Sequence, residues 1–221
     1  MCGRYTLTVD PAELMDRFEL TTTDVVATPR FNIAPTQPVA VIYNESPQTL
    51  SSARWGLIPF WSKDPSIGSR MINARGETVA EKPTFRNLLK KRRCLVLADS
   101  FYEWRKNDDG SKTPMRLMLQ SGQPFAFAGL WDSWNTPEGA ALRTCTIITT
   151  SPNNLAAQVH DRMPVILSPT DEKSWLTSGP EELPFLQSLL KAYPAELMKA
   201  YPVSSRVNSP KNEDATLIEA V

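Results

Sequence analysis

Nineteen prolines, spread along a chain of 221 residues with only nine glycines, constrain the fold more than any other feature. A proline inside a helix removes a backbone hydrogen bond and clashes with the preceding turn, so long uninterrupted helices are disfavoured. Several apolar stretches flanked by prolines are instead typical of strands. The sequence therefore predicts a loop-rich protein, not a helical bundle.

Strands dominate the centre of the predicted fold, and helices lie between them. We predict strands at residues 39–43, 53–58, 94–98, 101–105, 114–119, 125–130, 143–149 and 165–167. We predict helices at residues 11–18, 83–92, 151–158, 171–176 and 180–191, and a hairpin turn at 107–110. Because strict βαβ alternation is absent, we expect the α+β class: a single domain over residues 1–221 with a mostly antiparallel, barrel-like β core and peripheral helices.

Charge and hydropathy exclude several classes of protein. The chain has 24 basic and 24 acidic residues, so nucleic-acid binding would need a local basic cleft instead of a bulk positive charge. No apolar run approaches the roughly 20 residues that span a membrane. Charged residues and Pro11 interrupt the first residues, which is unlike a signal peptide. We expect a cytoplasmic protein with reduced cysteines.

The three cysteines are far apart and form no C-x-x-C pair. Cys94 and Cys145 lie in apolar strand-like segments, where a thiol most often serves packing. A zinc site built from scattered cysteines and the single histidine has little support.

Cys2 has the most distinctive chemistry. Removal of the initiator methionine, which a small second residue favours, would leave Cys2 with its α-amine and thiol on adjacent carbons. Such a 1,2-aminothiol condenses with an aldehyde to a Schiff base, and the thiol then closes on the imine carbon to give a thiazolidine. Because closure is intramolecular, its effective molarity reaches about 10^5 M or more. Position 2 alone does not establish a function, since many chains have cysteine there.

Two further segments offer groups that could assist such an amine. Residues 72–78, I-N-A-R-G-E-T, alternate polar Asn73 and Arg75 with small residues, which on a strand would project to one face. Glu103 follows an apolar strand and has aromatic neighbours, and desolvation of this kind raises a carboxyl pKa towards the range useful for proton transfer. A polar strand edge and an ion pair with an arginine are the structural alternatives.

The only histidine, His160, lies in H-D-R-M-P between a predicted helix and a predicted strand. Such junction loops often display functional side chains, although a structural role stays open. Aromatic residues and prolines at 31–35 and 55–61 suit either stacking on bases or core packing. Among them, Trp61 precedes a polar stretch and is predicted to lie at the surface.

Taken in order, these segments resemble the SRAP family (SOS response-associated peptidase). The motifs are M-C-G-R, N-I-A-P, R-W-G-L-I-P-x-W, I-N-A-R-x-E-T, A-D-S-F-Y-E-W and H-D-R-M-P, followed near the C-terminus by V-S at residues 203–204 and V-N at residues 207–208. Each is weak alone, but the ordered set runs from Cys2 almost to the C-terminus and is specific. The resemblance implies the family's fold and a protein that shields abasic sites in single-stranded DNA through a covalent link.

The resemblance also implies the roles of individual residues. Cys2 matches the nucleophile, whose amine attacks the open-chain aldehyde at C1′ and whose thiol closes the ring. Asn73 matches the residue that positions this cysteine, Glu103 the carboxylate that shuttles protons, and His160 the histidine that helps to open the deoxyribose ring. The implied DNA-binding residues are Arg4, Asn32, Pro35, Trp61, Arg75 and Arg162.

The implied partner is single-stranded DNA with an abasic site, at stalled forks or at single/double-strand junctions. The expected protein is a monomer that works without a membrane, a metal or an organic cofactor, and associates with the nucleoid when acting on DNA.

Three other activities stay open. A thiol autopeptidase could use Cys2, His160 and Glu103 to remove Met1. A non-covalent reader would bind single-stranded DNA or modified bases without needing Cys2. Lyase activity could follow from β-elimination at the Schiff base.

Overall fold

The computed structural model describes residues 2–25 and 28–221 and confirms the α+β class with a mostly antiparallel, barrel-like β core and peripheral helices. The strands are β1 Tyr5–Leu7, β2 Thr22–Thr23, β3 Arg30–Ile33, β4 Pro38–Tyr43, β5 Thr49–Trp55, β6 Asn73–Arg75, β7 Arg93–Ala98, β8 Ser100–Lys106, β9 Lys112–Leu119, β10 Phe125–Asn135, β11 Ala141–Thr150, β12 Met163–Pro164, β13 Ile166–Leu167 and β14 Met198–Pro202. The α-helices are α1 Pro11–Arg17, α2 Pro83–Lys91, α3 Pro169–Thr177 and α4 Leu183–Ser188. Shorter 3-10 helices are Pro65–Arg70, Ala156–Gln158, Pro180–Glu182, Ala195–Leu197, Ser205–Asn208 and Ala215–Ile218.

The prolines delimit the helices instead of interrupting them. Each α-helix has proline at its first or second position, where the missing N–H has no intrahelical partner to lose. Side chains cap two of these starts: Asp10 accepts from the Ala12 N–H, and Ser168 accepts from the Asp171 N–H. The helices are consequently short and lie around a β core.

Five strands close into the barrel. Antiparallel pairing connects β5, β4, β7, β10 and β11 in that order, and parallel pairing of β11 with β5 completes the ring. Every residue of β7 is buried, because its two neighbours in the barrel and the surrounding elements cover both faces. Cys94 and Cys145 lie in this core as free, buried thiols, as their apolar surroundings predict.

A second sheet, in the order β14-β9-β8-β1-β3, packs against the barrel. Tyr5 of β1 makes edge contacts with Trp55 of β5 and Phe127 of β10, with ring centroids 5.2 and 5.7 Å apart. The predicted hairpin joins β8 to β9, and Gly110 takes the positive φ of +82° in its turn. This sheet brings the N-terminus beside the barrel.

Several predicted elements were wrong in extent. Residues 151–158 form only the short 3-10 helix Ala156–Gln158, because Asn153 uses its side chain to bond the Ala156 N–H and the Tyr193 carbonyl. Residues 180–191 divide into a 3-10 turn and the shorter α4. The strand predicted at 53–58 ends at Trp55, because Gly56 has φ +124° and packs on the Gly68 backbone, where a Cβ would lie 2.5 Å from the carbonyl oxygen.

Across residues 2–25 and 28–221, the helices are all too short or too polar to cross a bilayer.

Candidate functional site

The N-terminal segment reaches the site along the edge of β8. Tyr5 and Thr6 pair with Phe101 and Ser100. The Tyr102 N–H donates to the Arg4 carbonyl at 2.9 Å, which continues the same antiparallel register. This register directs the chain before β1 towards Glu103, and Cys2 is completely buried there.

The charge of Glu103 acts on the Cys2 thiol. Burial raises the pKa of the Cys2 thiol far above its ordinary value, and the nearby Glu103 charge raises it further. Burial also raises the pKa of Glu103, while the charge of His160 opposes that rise. The three side chains therefore belong to one site, in which a protonated thiol lies beside a carboxyl group that holds its proton more tightly than usual.

His160 lies between the 3-10 helix Ala156–Gln158 and β12, with its side chain 30% exposed. Its Nδ1 accepts a hydrogen bond of 3.0 Å from the backbone N–H of Arg162. The carboxylate of Asp161 lies 2.9 Å from the same nitrogen. Nδ1 therefore has two polar neighbours: the Arg162 N–H, which is a hydrogen-bond donor, and the Asp161 carboxylate, which is an acceptor.

Asn73 and Arg75 lie on β6, which pairs in parallel with β11. The two side chains share one face, as predicted, because Ala74 between them points into the core. The Asn73 amide donates to the Ile72 carbonyl at 3.0 Å. Its Oδ1 is buried without a hydrogen-bond donor from residues 2–25 and 28–221, so this oxygen can accept a bond from a bound group.

Arg162 connects the His160 loop to the segment after β6. Its guanidinium contacts Glu77 through two hydrogen bonds of 2.5 and 2.8 Å. It also donates to the Thr149 carbonyl at the end of β11, at 2.7 Å. The family resemblance implies DNA contact for Arg162, which stays a prediction; in the structure Arg162 holds two loops together.

Half-buried Arg4 and buried Asn32 form a hydrogen-bond network with the C-terminal segment. Arg4 donates to Asn32 Oδ1 at 2.7 Å and to the Val207 carbonyl at 2.8 Å. The Asn32 amide, completely buried, donates to the carbonyls of Ser209 and Asn212, both at 2.9 Å. These bonds fix the backbone two residues from Cys2, and contact of either side chain with DNA stays a prediction.

Trp61 is 58% exposed, which confirms its predicted surface position, and the neighbouring Phe60 is 68% exposed. The loop under them is held firmly: the Phe60 N–H donates to Asp132 at 2.9 Å, and Trp134 donates to the Ser62 carbonyl at 2.7 Å. Pro35, in the turn after β3, is half-buried.

Sequence reasoning missed Glu77 and Phe60. Glu77 is the acidic residue of the I-N-A-R-x-E-T motif, and Phe60 is the variable residue of R-W-G-L-I-P-x-W. The signal available for Glu77 was the acidic position of that motif, two residues after Arg75. The only signal for Phe60 was that it directly precedes Trp61. Within the described part of the chain, no three His, Cys, Asp or Glu side chains cluster as metal ligands do.

A closed barrel flanked by a second sheet, with a buried cysteine at position 2 beside a glutamate and a histidine, defines a particular class of protein. The chain belongs to the SOS response associated peptidase (SRAP) family, whose sequence pattern matches residues 1–210.

Relatives and solved structures agree with this assignment. Abasic site processing protein YoqW of Bacillus subtilis is 51% identical over 223 positions that cover all of both chains. Abasic site processing protein HMCES of Xenopus tropicalis is 32% identical, over 80% of this chain and 59% of that protein. A crystal structure of a Bacteroides thetaiotaomicron protein superimposes with a TM-score of 0.88 at 28% identity and covers all of both chains.

Proposed function

We propose that this protein captures abasic sites in single-stranded DNA through a thiazolidine link to Cys2, with residues 1–221 acting as one domain. The observation that carries the proposal is the buried Cys2 thiol near Glu103. Burial raises the pKa of both groups, and the charge of His160 opposes the rise at Glu103. The relatives named as abasic site processing proteins support the choice of an abasic site as the aldehyde.

The chemistry balances without an oxidant or reductant. After Met1 is removed, the Cys2 amine attacks the open-chain aldehyde, and loss of one water gives the Schiff base. The thiol sulfur then bonds to the imine carbon, and the thiol proton leaves while the imine nitrogen gains one. Glu103, with its raised pKa, is suited to take and return these protons near neutral pH.

The same electrostatics weigh against a thiol peptidase. A cysteine that attacks peptide bonds needs a low thiol pKa, which a neighbouring cation or a helix N-terminus provides. Here burial and the Glu103 charge raise the pKa of Cys2 instead. A thiol that acts second, on an imine already formed by the amine, does not need to be a free thiolate at rest.

His160 and Asn73 take supporting roles in this proposal. His160 would open the deoxyribose ring by acid/base action at its oxygen, so that the aldehyde becomes available. The buried Asn73 Oδ1 would accept a hydrogen bond from the Cys2 nitrogen and position it.

The DNA would lie over Arg75 and Trp61, which are exposed on firmly held segments. Arg75 would contact phosphate and Trp61 would stack on a base. Pro35, Arg162, Arg4 and Asn32 complete the proposed interface. Action at stalled forks, by a monomer in the cytoplasm, belongs to the same proposal.

Denaturing gel electrophoresis tests the proposal. The protein with Met1 removed is mixed with single-stranded DNA that carries one abasic site, beside Cys2→Ala and the matched control Cys145→Ala. We expect a band that survives denaturation for the wild type and for Cys145→Ala, and none for Cys2→Ala. A persistent band with Cys2→Ala, or none with the verified processed wild type, would contradict it.

A further inference from the structure

We propose that Glu77 is a positioning residue that sets, through Arg162, which ring nitrogen of His160 carries the proton. The expected effect of Glu77 on catalysis rests on the proposed function. The expected position of the proton on the His160 ring does not. The inference comes from two contacts that link Glu77, Arg162 and His160 in series, and from a third group, the Asp161 carboxylate, that competes at His160.

The first link is the pair between Glu77 and Arg162. Both carboxylate oxygens bond the guanidinium, in the two-pronged geometry that gives charged hydrogen bonds their strength and directionality. Hydrogen bonding to Arg162 lowers the pKa of Glu77, so the carboxylate stays charged. Although Glu77 is 46% exposed, the Arg162 side chain is only 15% exposed and is further bound to the Thr149 carbonyl.

The second link is the backbone of Arg162. With its side chain fixed at two places, residue 162 has little freedom to rotate, and its N–H points at Nδ1 of His160. A nitrogen that accepts a hydrogen bond uses its lone pair, so in the neutral ring the proton resides on Nε2.

The third feature is the competing group at Nδ1. The Asp161 carboxylate, with its side chain 88% exposed, lies 2.9 Å from this nitrogen and would favour a proton there. The Arg162 N–H and the Asp161 carboxylate therefore favour opposite tautomers. Holding Arg162 in place favours the Nε2–H tautomer.

The functional consequence concerns proton transfer to the sugar. A neutral ring with its proton on Nε2 presents a donor on the side opposite Arg162, whereas the other tautomer would direct that proton to Asp161. Loss of the Glu77 contact should therefore slow crosslink formation by about 10- to 100-fold, at or below the lower limit of the roughly 100- to 10,000-fold that general acid–base catalysis contributes, because part of the population keeps its proton on Nε2.

Nitrogen-15 NMR can read the tautomer directly, because His160 is the only histidine in the chain. Histidine-selective labelling then gives the signals of a single imidazole, whose protonated and unprotonated ring nitrogens differ strongly in shift. The measurement is made above the pH at which the ring becomes neutral. The test variant is Glu77→Ala, and the control is Glu81→Gln, a change at an exposed glutamate four residues further along the chain.

We expect the wild type and Glu81→Gln to carry the proton mainly on Nε2, and Glu77→Ala to shift a substantial fraction to Nδ1. Adding Asp161→Asn to Glu77→Ala should return the proton to Nε2, because the competing acceptor is gone. Equal tautomer ratios in the wild type and Glu77→Ala, or an equal shift in Glu81→Gln, would overturn the proposal. A wild-type ring with its proton mainly on Nδ1 would also overturn the proposal, and this result does not depend on whether any variant folds.

Crosslinking rates are measured on the same samples. If the wild type forms no crosslink, the proposed function fails, while the NMR result still decides whether Glu77 sets the tautomer.

Discussion

Two buried glutamates show how one chain uses the same group in different ways. Glu172 on α3 is bonded by Arg17 of α1 through two contacts of 3.0 Å. Glu103 on β8 has instead the Cys2 thiol and the His160 ring as electrostatic partners. Burial raises the pKa of both carboxyls; Arg17 opposes the rise at Glu172, and the charge of His160 opposes it at Glu103.

The difference separates a structural carboxylate from a chemical one. The ion pair at Glu172 joins two helices on the outside of the barrel, and both charges are compensated within the protein. At Glu103 the chain buries a carboxyl group beside a thiol, an arrangement that costs stability and suits proton transfer. We therefore expect substitutions at the two positions to have opposite effects on activity and stability.

The largest expected effect is on activity. Glu103→Gln removes the group that moves protons and should slow crosslinking to an abasic site by about 100-fold or more. Glu172→Gln is the matched control, the same change in another buried glutamate, and should crosslink at the wild-type rate once the folded fraction is equal. Gel time courses measure both, and equal rates for the two variants would remove the distinction.

The next effect is on stability. Glu172→Ala leaves Arg17 without its partner and should lower the free energy of unfolding by about 3 kcal/mol, the lower end of the roughly 3–5 kcal/mol lost when a buried ion pair is broken, because Arg17 stays 19% exposed. Urea denaturation measures the change, with Glu45→Ala, which breaks the exposed pair with Arg143, as a control expected to lose about 1 kcal/mol or less. A loss at Glu172 no larger than at Glu45 would show that the buried pair adds nothing.

The smallest effect concerns pH. The pKa of Glu103 is raised in the folded state, so between its unfolded and folded pKa values the native protein binds more protons than the unfolded chain. Its contribution to stability therefore falls as pH rises through that interval and stays low above it. Glu103→Gln should become more stable than the wild type at neutral pH, by on the order of 1 kcal/mol.

Thermal unfolding at a series of pH values from about 4 to 8 measures this difference, taking the unfolded glutamate pKa of about 4.3 as the lower limit. A stability difference between Glu103→Gln and the wild type that shrinks as pH rises would contradict the assigned direction.

Much of the barrel could be predicted from the sequence because its strands are long and apolar. Residues 94–98 and 125–130 lie within the observed barrel strands β7 and β10, since apolar runs between turn residues specify buried strands. The three-residue β1 and β6 carry too short a pattern for periodicity to detect, yet they position Cys2 and Asn73. The site thus depends on two short strands, β1 and β6, that form because they pair with neighbouring strands in the folded protein.

The individual site residues were easier to find than their partners. Cys2, Glu103 and His160 stand out by residue type and surroundings, and the structure places them together. The contact between Arg162 and Glu77 joins residues 85 positions apart, and Asn32 bonds carbonyls 177 and 180 positions away. Local patterns cannot specify such pairs, because only the folded sheets bring them into contact.

Intact-mass spectrometry, with and without borohydride, tests most directly the claim that both the amine and the thiol of Cys2 react. With DNA carrying an abasic site, the processed wild type should give an adduct one water lighter than the sum of protein and DNA, stable without reductant. Cys2→Ala, which keeps an α-amine but lacks the thiol, should give an adduct only when borohydride reduces its Schiff base. An equally stable adduct from unreduced Cys2→Ala would contradict the account.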